Sequence, residues 1–580
     1  MAERSTMAIA ASWSVLLAGE LLLAVVVDDW FALDVALTEA AGIGILAAVQ
    51  AVVLKRDWLR APVWAGIIQL VVTAAVVDLS RPLLSALALA GGLALLSPLA
   101  SLAGRFARYG LLTGVLASVL GLVGSRLLIL QQWTRMTPDG VGAWALFRAE
   151  LSSTPRAVPG TSDGPPVVVI TLDTLRYAEM MEMSSVQRVA ALGGQWRALS
   201  TSSWTLPAMA SVQTGLGPAG HGAAALQGGG FQGISDAVPT LPERLSAVGY
   251  HSRAVATNAW LSEPMGFSRG FHRFRNGATE PAQRLLIRGY IEHDRLRGSR
   301  ATARALEDLA VLPDRGSHLW VHYVEPHLPY RDVPVPGWIV GLGEIPERLT
   351  TSAERESVRA AYRAEVSVLD AHLNTLLDGL EARGWLSSGI VVITSDHGEE
   401  FWEHGRTGHG HAHHGEVMDV GLVAAGPGIA AGSRSEAVAS LSDIAPTILA
   451  MLGEPHDGMR GHDLRALPPD RVASGWGSFR HRVTWSARGP RYRAIADDRC
   501  EVRAYDLFAD PAEQSPIALP SGHPVLLAVE RAEAPVIEGA VDDVHGALAA
   551  LGYIVTETDG AEAFVSCPSL AAVTSTNKVD

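Results

Sequence analysis

Between Met7 and Leu130 the chain runs through five apolar stretches, roughly 7–27, 35–54, 62–77, 83–104 and 109–130, parted by short polar loops. Each is near the ~20 residues that cross a bilayer, so the pattern predicts a helical transmembrane domain of five spans over residues 1–135. Val27-Asp28-Asp29 after the first span lacks a small-residue cleavage signature, which makes that span an uncleaved anchor rather than a signal peptide. Basic residues sort by loop. Arg4 precedes span one, Lys55, Arg56 and Arg60 follow span two, and Arg105 and Arg108 follow span four, while the opposite loops carry little besides Arg81 and Arg135. The positive-inside rule then predicts a cytoplasmic N-terminus and, after five crossings, an extracytoplasmic position at the cell membrane for all that follows. The lipid bilayer is the first expected partner.

Beyond residue 135 the pattern changes. Residues 136–166 are rich in Gly, Pro, Ser and Thr at both ends and read as a linker. Val167 to Leu172 is a continuous apolar, β-branched run, the pattern of a central parallel strand buried on both faces, and it ends at Asp173. A second such run, Gly389 to Thr394, follows an amphipathic helix from about Glu354 to Arg383 and ends at Ser395-Asp396-His397. Helices and strands alternate between Pro239 and Ile429, which predicts an α/β sandwich over 167–458 that binds its ligand at the carboxyl edge of the strands. Shorter strand-like pieces such as Tyr492-Arg493-Ala494-Ile495 predict a smaller C-terminal α+β subdomain over 459–558, and 559–580 reads as a disordered tail.

Composition narrows the function classes. At 580 residues the chain is too long for one ordinary core. The formal net charge of -14 repels a polyanion, so nucleic acid is not an expected partner. Cys500 and Cys567 permit at most one bridge and exclude a four-cysteine zinc site.

Candidate chemistry gathers where buried strands end. An Asp after a strand commonly serves as a helix cap or turn former. Asp173, Asp396 and His397 together, however, supply the oxygen and nitrogen donors that zinc or manganese accepts. Thr205-Leu206-Pro207 opens a helical stretch that continues to Thr214. Thr205 reads either as its N-cap or as a hydroxyl directed at the positive helix end, where a metal can deprotonate it and an anion can dock. His327 lies in a loop after another apolar strand, and His404, His409, His411, His413 and His414 crowd one glycine-bearing loop after Asp396. That crowding beside a carboxylate-histidine pair favours anion or metal binding over a merely solvated loop.

Six segments in order make the chain resemble the sulfatase family of the alkaline-phosphatase superfamily: VVVITLDTLR (167–176), SSWTLPAMASVQTG (202–215), GFSRGFHRF (266–274), HYVEPHLPY (322–330), VVITSDHGEEFWEHG (391–405) and YDLFADPAEQ (505–514). The likeness runs from about Val167 to Tyr553. The five-span layout ahead of it is also similar to that of lipoteichoic acid synthases and lipid phosphoethanolamine transferases. The resemblance implies an alkaline-phosphatase/sulfatase-like α/β sandwich and a metal-dependent hydrolase or transferase. It implies one divalent metal ion on Asp173, Thr205, Asp396 and His397, with Thr205 at the nucleophile position. It also implies that His327 contacts the transferred group or leaving oxygen, and that His409 replaces the anion-binding lysine of sulfatases.

The departures from the sulfatase pattern are as informative. Sulfatases carry a Cys or Ser that is oxidised to formylglycine, and Thr205 cannot give that aldehyde. Ala210 stands where the family has arginine, Thr174 where a second metal Asp follows the first, and His397 where calcium-using sulfatases have Asn or Gln. The expectation is therefore zinc or manganese rather than calcium, and an anionic ester substrate, for which a lipid or a cell-envelope polymer is a candidate. Phosphoester chemistry through Thr205 is the first reading. A true sulfuric ester hydrolase and a non-catalytic membrane-anchored binding or scaffold protein are the alternatives.

Overall fold

The computed structural model describes residues 162–225, 231–277, 298–328, 330, 347–479 and 482–531. The five apolar stretches, residues 136–161 of the linker and the terminal tail lie outside the described residues. Among those described, no helix is long and apolar enough to cross a membrane.

Among the described residues, sixteen strands form two sheets and two small ribbons. In chain order they are β1 (Val167–Leu172), β2 (Gly194–Leu199), β3 (Ala224–Ala225), β4 (Phe231–Gln232), β5 (His251–Ala256), β6 (Arg273–Asn276), β7 (Ser317–Tyr323) and β8 (Ile390–Ser395). They continue with β9 (Glu400–Phe401), β10 (Thr407–Gly408), β11 (Asp419–Ala425), β12 (Ser433–Ser440), β13 (Ala473–Phe479), β14 (Arg482–Arg488), β15 (Tyr492–Asp497) and β16 (Val502–Asp506). The central sheet has the order β12-β2-β11-β8-β1-β7-β5-β6. It is mixed: β1 runs parallel to both β7 and β8, whereas β11 runs antiparallel to β2 and β8.

The alternation of side chains along β1 explains its unbroken apolar run. Val167 and Val169 join one core with Leu206, Met209 and Val212 of the helix Thr205–Thr214 and with Ile444 and Ile448. Val168, Ile170 and Leu172 join a second core with Ala301 and Leu309 of the helix Gly298–Val311 and with Leu369, Leu373 and Leu376 of the helix Ser352–Ala382. A strand covered by helices on both faces has no solvent side, so it carries no polar alternation. The long helix begins in a capping box in which the Thr351 hydroxyl accepts from the Glu354 N–H and the Glu354 carboxylate accepts from the Thr351 N–H.

β13 to β16 form a separate antiparallel sheet. Trp476, Trp485 and Ala494 of that sheet pack with Val525 and Val529 of the helix Pro524–Glu530. The sheet also touches the α/β part, because the backbone N–H of Trp476 donates to the Thr201 carbonyl at 2.9 Å, four residues before Thr205.

Candidate active site

Register brings the chemistry together. Leu172 lies beside Tyr323 on one side and Ser395 on the other, so β1, β7 and β8 end level, and the residues after them emerge at one edge. Asp173 and Asp396-His397 are fully buried there, and ligand atoms of the three lie within 4.8 Å of one another. His397 Nε2 stands 3.7 Å from Asp173 Oδ1 and 3.5 Å from Asp396 Oδ2.

Each of the three side chains is tied on its outer atom, and the inner oxygens of the two carboxylates are left without a hydrogen bond. Asp396 Oδ1 accepts the backbone N–H groups of His397 at 2.7 Å and Thr174 at 3.2 Å, while its Oδ2 accepts no hydrogen bond. Asp173 Oδ2 accepts from Asn258 Nδ2 at 2.5 Å, and its Oδ1 accepts none. His397 Nδ1 bonds the Gly398 carbonyl at 2.9 Å, which puts the ring proton on Nδ1 and a lone pair on Nε2. Burial and the charge of Asp173 push the Asp396 carboxyl well above the usual carboxylate range. Burial acts on Asp173 in the same direction, but the His322 ring facing it at 3.6 Å and the charges of His327 and His397 hold it below that range. Two buried carboxylates with inward oxygens and one imidazole lone pair fit a divalent cation, which would satisfy all three at once.

Thr174, where the family pattern has a second Asp, has φ +54. A β-branched residue in the left-handed region costs about 1–3 kcal/mol. That turn aims its N–H at Asp396, and Tyr362 Oη secures it by donating to the Thr174 carbonyl at 2.9 Å.

Thr205 is not the helix N-cap. The cap position belongs to Trp204, whose side chain makes no capping bond, and Thr205 is the first helical residue. Its hydroxyl is free to turn toward the site, where Oγ1 lies 3.4 Å from His397 Nε2. The helix ends at Gly215, whose φ of +67 is the left-handed conformation that terminates helices.

Of the five crowded histidines, His409 joins this centre. Its ring centroid is 4.5 Å from that of His397 and 5.1 Å from that of His327. His409 Nδ1 pairs with Glu399 Oε1 at 2.9 Å. Burial, with the neighbouring imidazoles, pushes His409 well below the ordinary histidine range, and burial pushes Glu399 up to about 7. The other four find separate partners: His411 bonds Glu400 at 2.7 Å, His413 bonds Ser486 at 3.0 Å, and His404 pairs with Glu416 at 3.3 Å and stacks on His414. His404, His414 and Glu416 are close enough for a cation, but the two rings lie parallel, 8° apart, so their lone pairs do not converge on one point.

Three contributors escape the motif reading: Asn258, His322 and Glu399. Asn258 follows β5 two residues on, the same kind of strand-end position that singles out Asp173, and this is the signal that could have found it. His322 lies inside β7 and opens the HYVEPHLPY segment, in which the resemblance gives a role to His327 and none to His322.

A sequence profile of the sulfatase family matches residues 165–454, half of the 580-residue chain. Arylsulfatase K of Canis lupus familiaris is 31% identical over 187 residues, 29% of this chain and 35% of that protein. The low-salt glycan biosynthesis sulfotransferase Agl7 of Haloferax volcanii is 26% identical over 310 residues, 52% of this chain and 65% of that one. The chain thus spans less than two thirds of the length of either relative. A solved phosphonate monoester hydrolase of Agrobacterium radiobacter has 17% identity, covers 61% of this chain and 91% of its own, and has a TM-score of 0.48. With the motifs in order, the profile spanning both Asp173 and Asp396, and the strand ends delivering those residues to one buried centre, this chain belongs to the sulfatase family.

Proposed function

We propose that the protein is a membrane-anchored, metal-dependent hydrolase or transferase acting on phosphate or sulfate ester groups, with Thr205 as its nucleophile. The observation that carries this reading is the Thr205 hydroxyl at the start of a buried helix, 3.4 Å from the imidazole that completes the Asp173, Asp396 and His397 cluster. The positive end of that helix favours the approach of an anionic ester. A divalent ion on these residues, zinc or manganese by its carboxylate and imidazole donors, supplies Lewis-acid polarisation and lowers the pKa of the Thr205 hydroxyl. His327 and His409 hold the non-bridging oxygens of the ester. Thr205 Oγ attacks in line, its bond to phosphorus or sulfur forms as the bond to the leaving oxygen breaks, and the proton lost by Thr205 ends on the leaving alcohol. The ester on Thr205 is then cleaved by water, or by an acceptor hydroxyl in a transferase.

Similarity to a sulfotransferase over 52% of the chain favours a second form of this reading, in which the group carried is sulfuryl and the acceptor is a hydroxyl. A panel of phosphodiesters, phosphomonoesters and aryl sulfates, assayed with zinc or manganese and with and without an alcohol acceptor, tests both. Phosphoester turnover is the expected result. Preference for the aryl sulfate transfers the assignment to the second form, and no turnover of any ester with metal bound supports the binding or scaffold alternative.

The anchor rests on the five apolar stretches and the sorting of their basic loops. The expected position of residues 136–580 is outside the cytoplasm, next to lipid or cell-envelope substrates. A periplasmic reporter fused after residue 140 should be active and a cytosolic one silent, and the reverse pattern would overturn the topology.

A further inference from the structure

We infer that Asn258 and His322 are positioning residues for Asp173, holding its Oδ2 so that Oδ1 alone is presented to the metal. The inference rests on the metal-dependent reading above and adds the device that orients one ligand.

The Asn258 amide cannot rotate freely, because its Oδ1 accepts the Trp260 N–H at 2.9 Å and its backbone carbonyl accepts from Asn276 Nδ2 at 2.8 Å. With Oδ1 occupied in this way, Nδ2 faces Asp173 Oδ2 at 2.5 Å. Thr257, one residue earlier, ties the same segment to the end of β7: its hydroxyl donates to the His322 carbonyl and accepts the Val324 N–H, both at 2.9 Å.

His322 approaches the same oxygen from the other side, with Nε2 3.6 Å from Asp173 Oδ2. A buried chain selects its tautomer. The Trp320 indole N–H can only donate, and it donates to Thr171 Oγ1 at 3.0 Å. The Thr171 hydroxyl then has its own proton to give to His322 Nδ1 at 2.9 Å, which makes Nδ1 the acceptor and leaves the ring proton on Nε2, facing Asp173. All four side chains are buried, so no water competes for these bonds. Asn258 Nδ2 hydrogen-bonds Oδ2, and the His322 N–H faces the same oxygen at 3.6 Å, an electrostatic contact longer than a hydrogen bond. The other oxygen, Oδ1, carries no hydrogen bond and faces His397 Nε2.

Outer partners of this kind are worth about 10–100-fold in metal affinity. The test is equilibrium dialysis of Mn²⁺ and, separately, Zn²⁺ against the full-length protein, alongside the melting temperature of the metal-free form. Asn258→Ala and His322→Ala should each raise the Kd by about 10–100-fold. His322→Gln, which can present an N–H toward Asp173, should recover part of that loss. Thr171→Val, which keeps the volume but breaks the chain that sets the tautomer, should weaken binding by several-fold. If a truncated variant fails to fold, Asn258→Asp, nearly isosteric but with an acceptor in place of the donor, decides by the same readout. Unchanged Kd values in folded Asn258 and His322 variants would overturn the inference. Failure of the wild-type protein to bind either ion would instead remove the metal-dependent reading beneath it.

Discussion

Asp173 and Asp396 are buried at the edge of the central sheet, and their partners among the described residues are imidazoles, an amide and backbone N–H groups. Asp419, buried at the start of β11, is met instead by arginines: Arg493, Arg488 at 3.2 Å and Arg197 at 3.6 Å. Arg493 also reaches Glu513 at 2.8 Å. Burial would raise the Asp419 carboxyl, but Arg488, Arg493 and Arg197 hold it below the usual range, the reverse of Asp396. The second cluster answers its charge from within and ties β11 to β14 and β15. Among the described residues the first has imidazoles but no arginine paired with it, and it keeps inward atoms ready for a cation. Buried charge alone is therefore a poor marker of function in this chain. The informative feature is whether basic side chains already neutralise it.

The largest effect should separate these clusters directly. Asp419→Asn leaves Arg488 and Arg493 buried without their carboxylate and should cost about 3–5 kcal/mol in denaturant unfolding. Asp396→Asn puts a near-isosteric amide in place of a carboxyl whose ionisation burial and Asp173 disfavour, so metal-free stability should change by less than about 1 kcal/mol. Added zinc or manganese should stabilise the wild type and not this variant. Equal losses for the two variants would erase the distinction.

Next in size is the nucleophile. Thr205→Ala should lower turnover by at least ~100-fold, roughly 2.7 kcal/mol, while Thr205→Ser retains some activity because its hydroxyl survives. An unimpaired Thr205→Ala enzyme would leave the metal-ready cluster without this chemistry.

Acid probes a third kind of buried site. His221, His318 and His413 bond to serine hydroxyls, and burial pushes each down to about 3. Because these values are depressed on folding, the unfolded chain binds protons below pH 6.5 that the folded chain refuses. Their contribution is intact above about pH 6.5 and declines toward pH 3. From pH 6.5 to 5 each should cost about 2 kcal/mol, measured as the urea midpoint against pH. His404, raised by Glu416 against the effect of burial, should move the other way. A midpoint independent of pH in this window would mean that the three histidines are not kept neutral by the fold.

The smallest expected change is at Tyr362. Tyr362→Phe leaves the Thr174 carbonyl and the Arg176 N–H without the bonds its hydroxyl makes, for about 1–2 kcal/mol. A larger fall in metal affinity than in metal-free stability would show that the left-handed turn at Thr174 serves Asp396.

Much of this was legible before folding where a local rule applies. The unbroken run of β1 announces burial on both faces, and the long helix expected from about Glu354 to Arg383 spans Ser352–Ala382 behind its capping box. Asp173, Asp396 and Thr205 stand out because each follows a recognisable strand end or opens a recognisable helix. Asn258 also follows a strand end, but what it does, like what His322 does inside its strand, depends on Asp173, 85 and 149 residues away in sequence. The five histidines mislead in the opposite sense. Their crowding suggests one shared site, yet their side chains point to different carboxylates and hydroxyls, and among them His409 reaches the Asp173 centre.

By itself the sequence determined which segments are apolar enough to bury, which strands have no solvent face, and which residue types stand at their ends, since these follow from periodicity and side-chain chemistry. Tertiary structure decided which strand ends meet, which carboxylate is answered by arginine and which is left open, and that Thr205 rather than Trp204 turns its side chain to the site. The reason is that hydrogen bonding, burial and charge compensation are properties of neighbours in space. Only the parallel register of β1, β7 and β8 makes neighbours of residues more than two hundred positions apart.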